Sequence, residues 1–394
     1  MIKNNELLQI PYGTRDFLPK EAAYKRSIES ALANIFNRWG YDEVVTPSIE
    51  FLDTLTMADD GQAEPSLFKF IDRNNRTLAL RHEMTTPLAR VASSRLKDAE
   101  FPLKLSYITN VCRYEQAQMG RQCEFYQGGV ELMGVSGAGA DAEVIALAVQ
   151  ALKEAGLENF QVSLGQVDFI NGIMEQAQLS AEERHAIKTA MVKHDLVGLE
   201  NILNESKMAD RLKEVLVKAP LLNGKDDMLK RAYAMVCNNQ SKRALDNLME
   251  IYELLKAYGV ADYVTFDLGL IRDFDYYTGM VFEAYTAGLG FPLCGGGRYD
   301  NLLSAFGAPC PATGFALGVE RIMLALERQG AAKPSKRRDA YVAYGTGGVV
   351  AAVKKARELR GEGRVVELAL ESAPRDTAER YCRAKGYAAF VYVE

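Results

Sequence analysis

Residues 112–134 read CRYEQAQMGRQCEFYQGGVELMG. Apolar residues run up to Cys112 and resume at Phe125, with Met119 and Gly120 between them, which is the pattern of a strand, a turn and a returning strand. Arg113 and Arg121 flank that turn, and a guanidinium fork matches phosphate or carboxylate oxygens. Solvation, or pairing with Glu115 and Glu124, explains the same spacing. Gln127 and Glu131 are four apart, so a strand puts both on one face, turned either to a polar ligand or to solvent.

Working outward, LFKFID, RTLAL and LKLSYITNVCRY add further strands before this one, with one helix near PLARVASSRL. Upstream, EAAYKRSIESALANIFNRWG sets Ile28, Ala31, Leu32, Ile35, Phe36 and Trp39 on one helical face, and Gly40 can end the helix. YDEVVTPSIEFL reads as a strand broken at Pro47. Downstream, ADAEVIALAVQALKEAG is a helix and ENFQVSLG a strand. From about residue 170 to 256 the pattern is almost wholly helical, and Leu245, Leu248, Met249, Tyr252 and Leu255 form its last apolar stripe. Strands return in YVTFDLGLIRDFDYYTGMVFEAY, so one sheet is expected to be assembled around a helical insertion.

The segment AAKPSKRRD is polar, basic and contains proline, as a linker does. Beyond it AYVAYG, VVAAVKKARELRGEG, RVVELAL, DTAERYCRAKG and YAAFVYVE alternate strand and helix, the pattern of a small parallel α/β unit. The expected organisation is a main α+β domain at 1–328, a linker at 329–338 and a short unit at 339–394. A chain of 394 residues, 48% hydrophobic, exceeds what one average core holds. Its net charge of −5 implies no global attraction to nucleic acid or to an anionic membrane. No run reaches the ~20 apolar residues of a membrane span, and MIKNNELLQIPYGTRDF lacks a signal-peptide core, so a cytoplasmic protein is expected. The six cysteines form no CxxC pair and the three histidines no metal-ligand spacing, so neither metal nor cofactor is expected.

Three further stretches carry chemistry. In LIRDFDYYTGMVFE, Arg272, Asp275, Tyr276 and Tyr277 combine charge, hydroxyls and an aromatic wall. Gly295, Gly296 and Gly297 allow a ligand close to the backbone, or simply a tight bend. GTGG at 345–348 lacks the lysine of a Walker loop and reads as a connection.

These stretches, taken in order, resemble the motifs of class II aminoacyl-tRNA synthetases. YGTRDFLPKEA with YDEVVTPSIE is similar to the first motif, CRYEQAQMGRQCEFYQGGVE to the second and GVERIMLAL to the third. RDFDYYTG and GGGRYDNLL resemble the two signatures peculiar to histidyl-tRNA synthetase. The resemblance spans residues 10–328 and implies a mainly antiparallel sheet flanked by helices, dimeric through its first motif. It implies a histidine pocket in which Glu131 and Tyr277 read the imidazole and Glu83, Thr85 and Gln127 hold the ammonium, with Tyr276 nearby. Arg113, Arg121 and Arg321 match the family's nucleotide contacts, and Arg272 the arginine that stabilises charge during adenylation.

Departures point to one branch of the family. The second motif has Cys123 where a further arginine is usual, Asp273 and Phe274 follow Arg272 in place of Gly-Leu, and the C-terminal unit is short for an anticodon-binding domain. The combination resembles the synthetase paralogues that serve as regulatory subunits of ATP phosphoribosyltransferase. The expectations are a non-catalytic chain, a short-form catalytic subunit as partner, histidine as effector, and a homodimer core within a hetero-octamer, without nucleic acid or membrane. A histidine-tRNA ligase with a divergent C-terminal domain is the alternative.

Overall fold

The computed structural model describes residues 8–57, 64–114, 122–271, 276–331 and 338–394. The chain forms two compact units, one from the residues before 333 other than 17–24, the other from 17–24 together with the residues from 333 on. No signal in the sequence links 17–24 to the second unit.

The first unit takes in α1 (Pro19–Arg38) from Lys25 on, then β1 (Asp42–Glu43), β2 (Ile49–Phe51), α2 (Leu52–Thr56), β3 (Lys69–Ile71), β4 (Thr77–Leu80) and α3 (Thr85–Ser94). The strand expected through Pro47 is thus two short strands with a gap at the proline, which has no N–H to give a ladder. The long hairpin β5 (Leu103–Cys112) and β6 (Glu124–Met133) follows, then α4 (Ala138–Glu154) and β7 (Gln161–Gln166). The next stretch is mostly helical: α5 (Val167–Gln176), α6 (Ala181–Val192), α7 (Leu196–Glu205), α8 (Asp210–Lys218), β8 (Asn223–Gly224), α9 (Asp226–Met235) and α10 (Asn239–Ala257). Side-chain caps start several of these helices, as at Ser180 with Glu183, Asp195 and Asn238. The unit closes with β9 (Val264–Asp267), β10 (Met280–Tyr285), β11 (Cys294–Arg298), β12 (Ala312–Gly318) and α11 (Val319–Arg328).

Nine strands make the main sheet in the order β1-β5-β6-β12-β11-β10-β7-β9-β8. Among the described residues its β1–β5 and β7–β9 pairs are parallel and its other pairs antiparallel. Strands from before and after the helical stretch therefore lie side by side: β12, near residue 315, hydrogen-bonds β6, near residue 130. A second, three-stranded sheet has the order β2-β4-β3. Arg90 on α3 ties that sheet to the helix through Glu50 on β2, 2.7 Å away.

The two faces of the main sheet differ in a way the strand period dictates. On one face Val130, Leu132, Phe315 and Leu317 are buried. Here Leu32 of α1 lies against Gly128, and Phe36 meets Phe315 edge to face at 6.0 Å. Each such side chain removed from water contributes roughly 1.5–3 kcal/mol. The opposite face carries Gln127, Gly129 and Glu131 of β6, paired in register with Gly318, Ala316 and Gly314 of β12. Beyond them stand Gly295 and Gly297 of β11. A floor paved with glycine leaves open space above the sheet.

The second unit contains β13 (Ala340–Tyr344), α12 (Val349–Gly361), β14 (Val366–Leu368), α13 (Arg375–Lys385) and β15 (Ala389–Val393). Its sheet is parallel, in the order β14-β13-β15. The GTGG stretch joins β13 to α12, with Gly347 at φ 88, in the left-handed region that suits glycine.

Candidate functional site

The open space over the glycine floor is a cavity of about 740 Å³, mouth included. Glu83, Thr85, Gln127, Glu131, Tyr276, Tyr277, Arg113 and Arg321 all line it. Arg121 and Arg272, the other two arginines singled out from the sequence, lie outside the described residues.

Glycine makes the cavity possible at particular points. A Cβ at Gly314 would collide with Glu131 Oε2, and one at Gly129 would collide with the Tyr107 hydroxyl and the Phe315 carbonyl. At Gly297 a Cβ would sit 2.9 Å from the Tyr277 ring. Gly296, where a Cβ would meet the Gly314 carbonyl, and Gly297 are thus required by close approach.

Glu131 occupies the deep end, 1% exposed. Thr85 Oγ1 donates to its Oε1 at 2.9 Å, and the Tyr299 hydroxyl donates to its Oε2. Burial pushes its pKa up to about 8; the Tyr299 and Thr85 hydroxyls pull it down and the neighbouring Glu83 pushes it further up. Glu83 caps α3: its Oε1 accepts from the Thr86 N–H at 2.9 Å and its Oε2 from the Thr85 N–H. A carboxylate at a helix N-terminus meets both unpaired N–H groups and the positive end of the helix dipole. Gln127 Oε1 is buried without a hydrogen-bond partner among the described residues, an acceptor that a ligand N–H can satisfy. The deep end therefore offers three oxygen-bearing side chains to a ligand rich in N–H groups.

At the mouth, Arg113 Nε donates to the His82 carbonyl at 2.8 Å and its guanidinium lies 5.4 Å from the centre of the Phe125 ring. Arg321 Nη1 donates to the Pro292 carbonyl at 2.7 Å, with the Phe291 ring 5.2 Å away. Tyr276 and Tyr277 form the side wall, their rings 4.8 Å apart. Cys123 is not among the lining residues: it is buried where Gly13, at φ 74, passes over it, and its N–H donates to the Gly13 carbonyl at 2.7 Å. Among the described residues no group of His, Cys, Asp and Glu has metal-ligand geometry.

Sequence reasoning missed Tyr299 and Tyr107, both fully buried and both on the cavity wall. Tyr299 lies inside GGGRYDNLL, two residues beyond Gly297, so strand alternation carries the signal that it shares the floor's face. Tyr299 is set by its neighbour. Arg298, 8% exposed at its side chain, pairs with buried Asp141 on α4 at 2.8 Å and with Asp300 at 2.9 Å.

A glycine-floored antiparallel sheet, with acidic and amide groups at one end of its cavity and arginines at the other, is the architecture of a class II synthetase-like protein. The histidyl-tRNA synthetase family profile matches residues 13–322. The ATP phosphoribosyltransferase regulatory subunit of Moorella thermoacetica is 45% identical over 97% of both chains. The protein of the same name from Acetivibrio thermocellus is 40% identical over 95% of this chain and 90% of its own. A solved structure described as an ATP phosphoribosyltransferase regulatory subunit/histidyl-tRNA synthetase from Bacillus halodurans C is 34% identical, covers 98% of each chain and superposes with a TM-score of 0.88. The chain belongs to the histidyl-tRNA synthetase-like family and, within it, to the ATP phosphoribosyltransferase regulatory subunits.

Proposed function

We propose that this chain acts without catalysis of its own, that a short-form ATP phosphoribosyltransferase catalytic subunit requires it for activity, and that histidine bound in the cavity inhibits the complex. The carrying observation is the 45% identity across 97% of both chains with a relative of that name. The cavity supports histidine as effector. Its imidazole and ammonium are both N–H donors, and Glu83, Gln127 and Glu131 present acceptors at the deep end. In this reading Glu131 and Tyr277 take the imidazole, Glu83, Thr85 and Gln127 the ammonium, with Tyr276 and Arg272 completing the pocket. A site built to pair ligand N–H groups rejects ligands that lack them, because its acceptors are left buried and unmet.

The assembly in this reading is a homodimer core within a hetero-octamer. An apolar face on the small sheet, with Ile49, Phe51 and Phe70 exposed, supports an association surface in the first unit. A reducing cytoplasm is supported by six cysteines that no disulfide joins. Co-purification with the catalytic subunit, followed by mass measurement and initial rates with and without histidine, tests the proposal. Activity that is independent of this chain, or inhibition that persists without it, overturns the proposal.

Arg113 and Arg321 on the cavity wall favour a second reading, a histidine-tRNA ligase that retains nucleotide contacts. Histidine-dependent exchange of pyrophosphate into ATP separates the two. The regulatory reading expects none.

A further inference from the structure

Both oxygens of Glu131 receive hydroxyl donors, one from Thr85 and one from Tyr299. That is the arrangement that suits an ionised carboxylate. Yet Glu131 is 1% exposed, and among the described residues no cationic side chain pairs with it. A carboxyl buried to this degree, with the Glu83 carboxyl as its neighbour, keeps its proton until a cation arrives.

We propose that Tyr299 is a positioning residue that holds Glu131 ready to ionise, and that histidine bound here accepts the Glu131 proton on its imidazole. This rests on the histidine reading of the cavity. The carboxyl O–H bond breaks, an imidazole N–H bond forms, and the pair's total charge is unchanged, so no co-reactant is needed. Histidine then sits as an imidazolium beside a carboxylate, although in neutral solution its imidazole is mostly uncharged.

The surroundings favour that outcome. Glu83, at the start of α3, is the neighbouring carboxyl and raises the pKa of Glu131, so it favours a cation in the space beside them. Tyr107 on β5 and Tyr299 after β11 are phenols that burial pushes well above their ordinary pKa, so they stay neutral donors. Tyr41, ahead of β1, is pushed up in the same way. Tyr276, Tyr277, Cys294, Arg113 and Arg321 stand around the rest of the cavity wall. Tyr299 itself is held by backbone and ion pair: its N–H donates to the Ala312 carbonyl at 2.8 Å, and Arg298 before it is clamped to Asp141. Its ring meets Tyr276 edge to face at 5.8 Å.

Calorimetric titration of the whole chain with L-histidine, across pH and in buffers of different ionisation enthalpy, tests this. With transfer, affinity is flat between the imidazole pKa of ~6.5 and the Glu131 value of about 8. Beyond either limit it falls roughly tenfold per pH unit. Near pH ~7 no net proton is exchanged, because one proton is held before and after binding wherever it sits; 15N NMR of ring-labelled L-histidine in the complex reads its place, with both ring nitrogens protonated as the expected result and a neutral ring overturning the proposal. Release of one proton at that pH means a neutral imidazole beside a deprotonated Glu131 and overturns the proposal. Tyr299→Phe removes a donor that lowers the Glu131 pKa, so the high-pH limb should move upward while affinity drops about tenfold. Affinity loss with an unmoved limb reduces Tyr299 to a structural role. Should that variant not fold, Thr85→Val removes the other donor and must move the limb the same way. No histidine binding by the unaltered chain at any pH removes the histidine reading itself, and the proton transfer with it, so the two failures are distinguishable.

Discussion

At the deep end of the cavity Glu131 is bonded by side chains, from Thr85 and Tyr299, whereas at the mouth Arg113 and Arg321 donate to the main chain, at His82 and Pro292. The deep end is closed and, Gln127 Oε1 apart, its carboxylates are bonded by neighbouring donors, so its chemistry depends on which residues stand there. The mouth is open, its guanidiniums are steadied by carbonyls and by the Phe125 and Phe291 rings, and they act mainly through their charge. Specificity therefore concentrates at the deep end, and the mouth tolerates change better.

The largest expected effect strikes the support of the deep end. Asp141→Ala leaves the buried Arg298 guanidinium with Asp300 and carbonyls only, and breaking such a pair costs about 3–5 kcal/mol. Urea denaturation measures it. A cost below ~1 kcal/mol would show that the deep end stands without that clamp.

Glu131→Ala comes next. Loss of a charged hydrogen bond should weaken histidine binding by ~1.5–3 kcal/mol, a tenfold or larger change in Kd, and inhibition of the transferase complex should weaken in step by linkage. Assembly should survive, since Glu131 is buried inside the sheet's cavity. Unchanged affinity makes the residue structural; lost affinity with intact inhibition puts the regulatory histidine elsewhere.

A smaller effect is read in pH. The folded pKa of Glu131 is raised from 4.5 to about 8, so the folded state binds the extra proton. That contribution is complete below the unfolded value and is lost as pH rises through the folded one. Comparing denaturation at acid and alkaline ends of that window, the unaltered chain should lose more stability than Glu131→Gln. Equal losses would mean that Glu131 is ionised throughout.

The smallest effect tests the mouth. Arg321→Ala should leave histidine affinity within ~0.5 kcal/mol, because Arg321 is exposed and donates to a carbonyl. A loss as large as that of Glu131→Ala would erase the distinction between the two ends.

Much of the fold and part of the site are legible in the residues themselves. Strand alternation alone places Gln127 and Glu131 on one face, and a helical period marks the buried side of α1 at Ile28, Leu32, Ile35 and Phe36. The glycines of β11 are visible as a run, though a bend explains that run equally well until the Tyr277 ring is seen above Gly297. The family resemblance makes Glu83 a ligand for an ammonium; that it also caps α3 follows only from where the helix begins.

By itself the sequence determines local periods, turn and cap residues, and the ordered motifs that mark the family, because each depends on neighbours within a few positions. The tertiary structure alone decides which of those residues meet. Arg298 and Asp141 are 157 apart in the chain, and Tyr299 and Glu131 are 168 apart. Their contact exists because β12 inserts between β6 and β11, a pairing that no short-range pattern specifies. The pKa of Glu131 has the same origin: burial and Glu83 push it up while the Tyr299 and Thr85 hydroxyls, arriving from separate elements, pull it down, and none of them acts on that carboxyl until the sheet has closed around it.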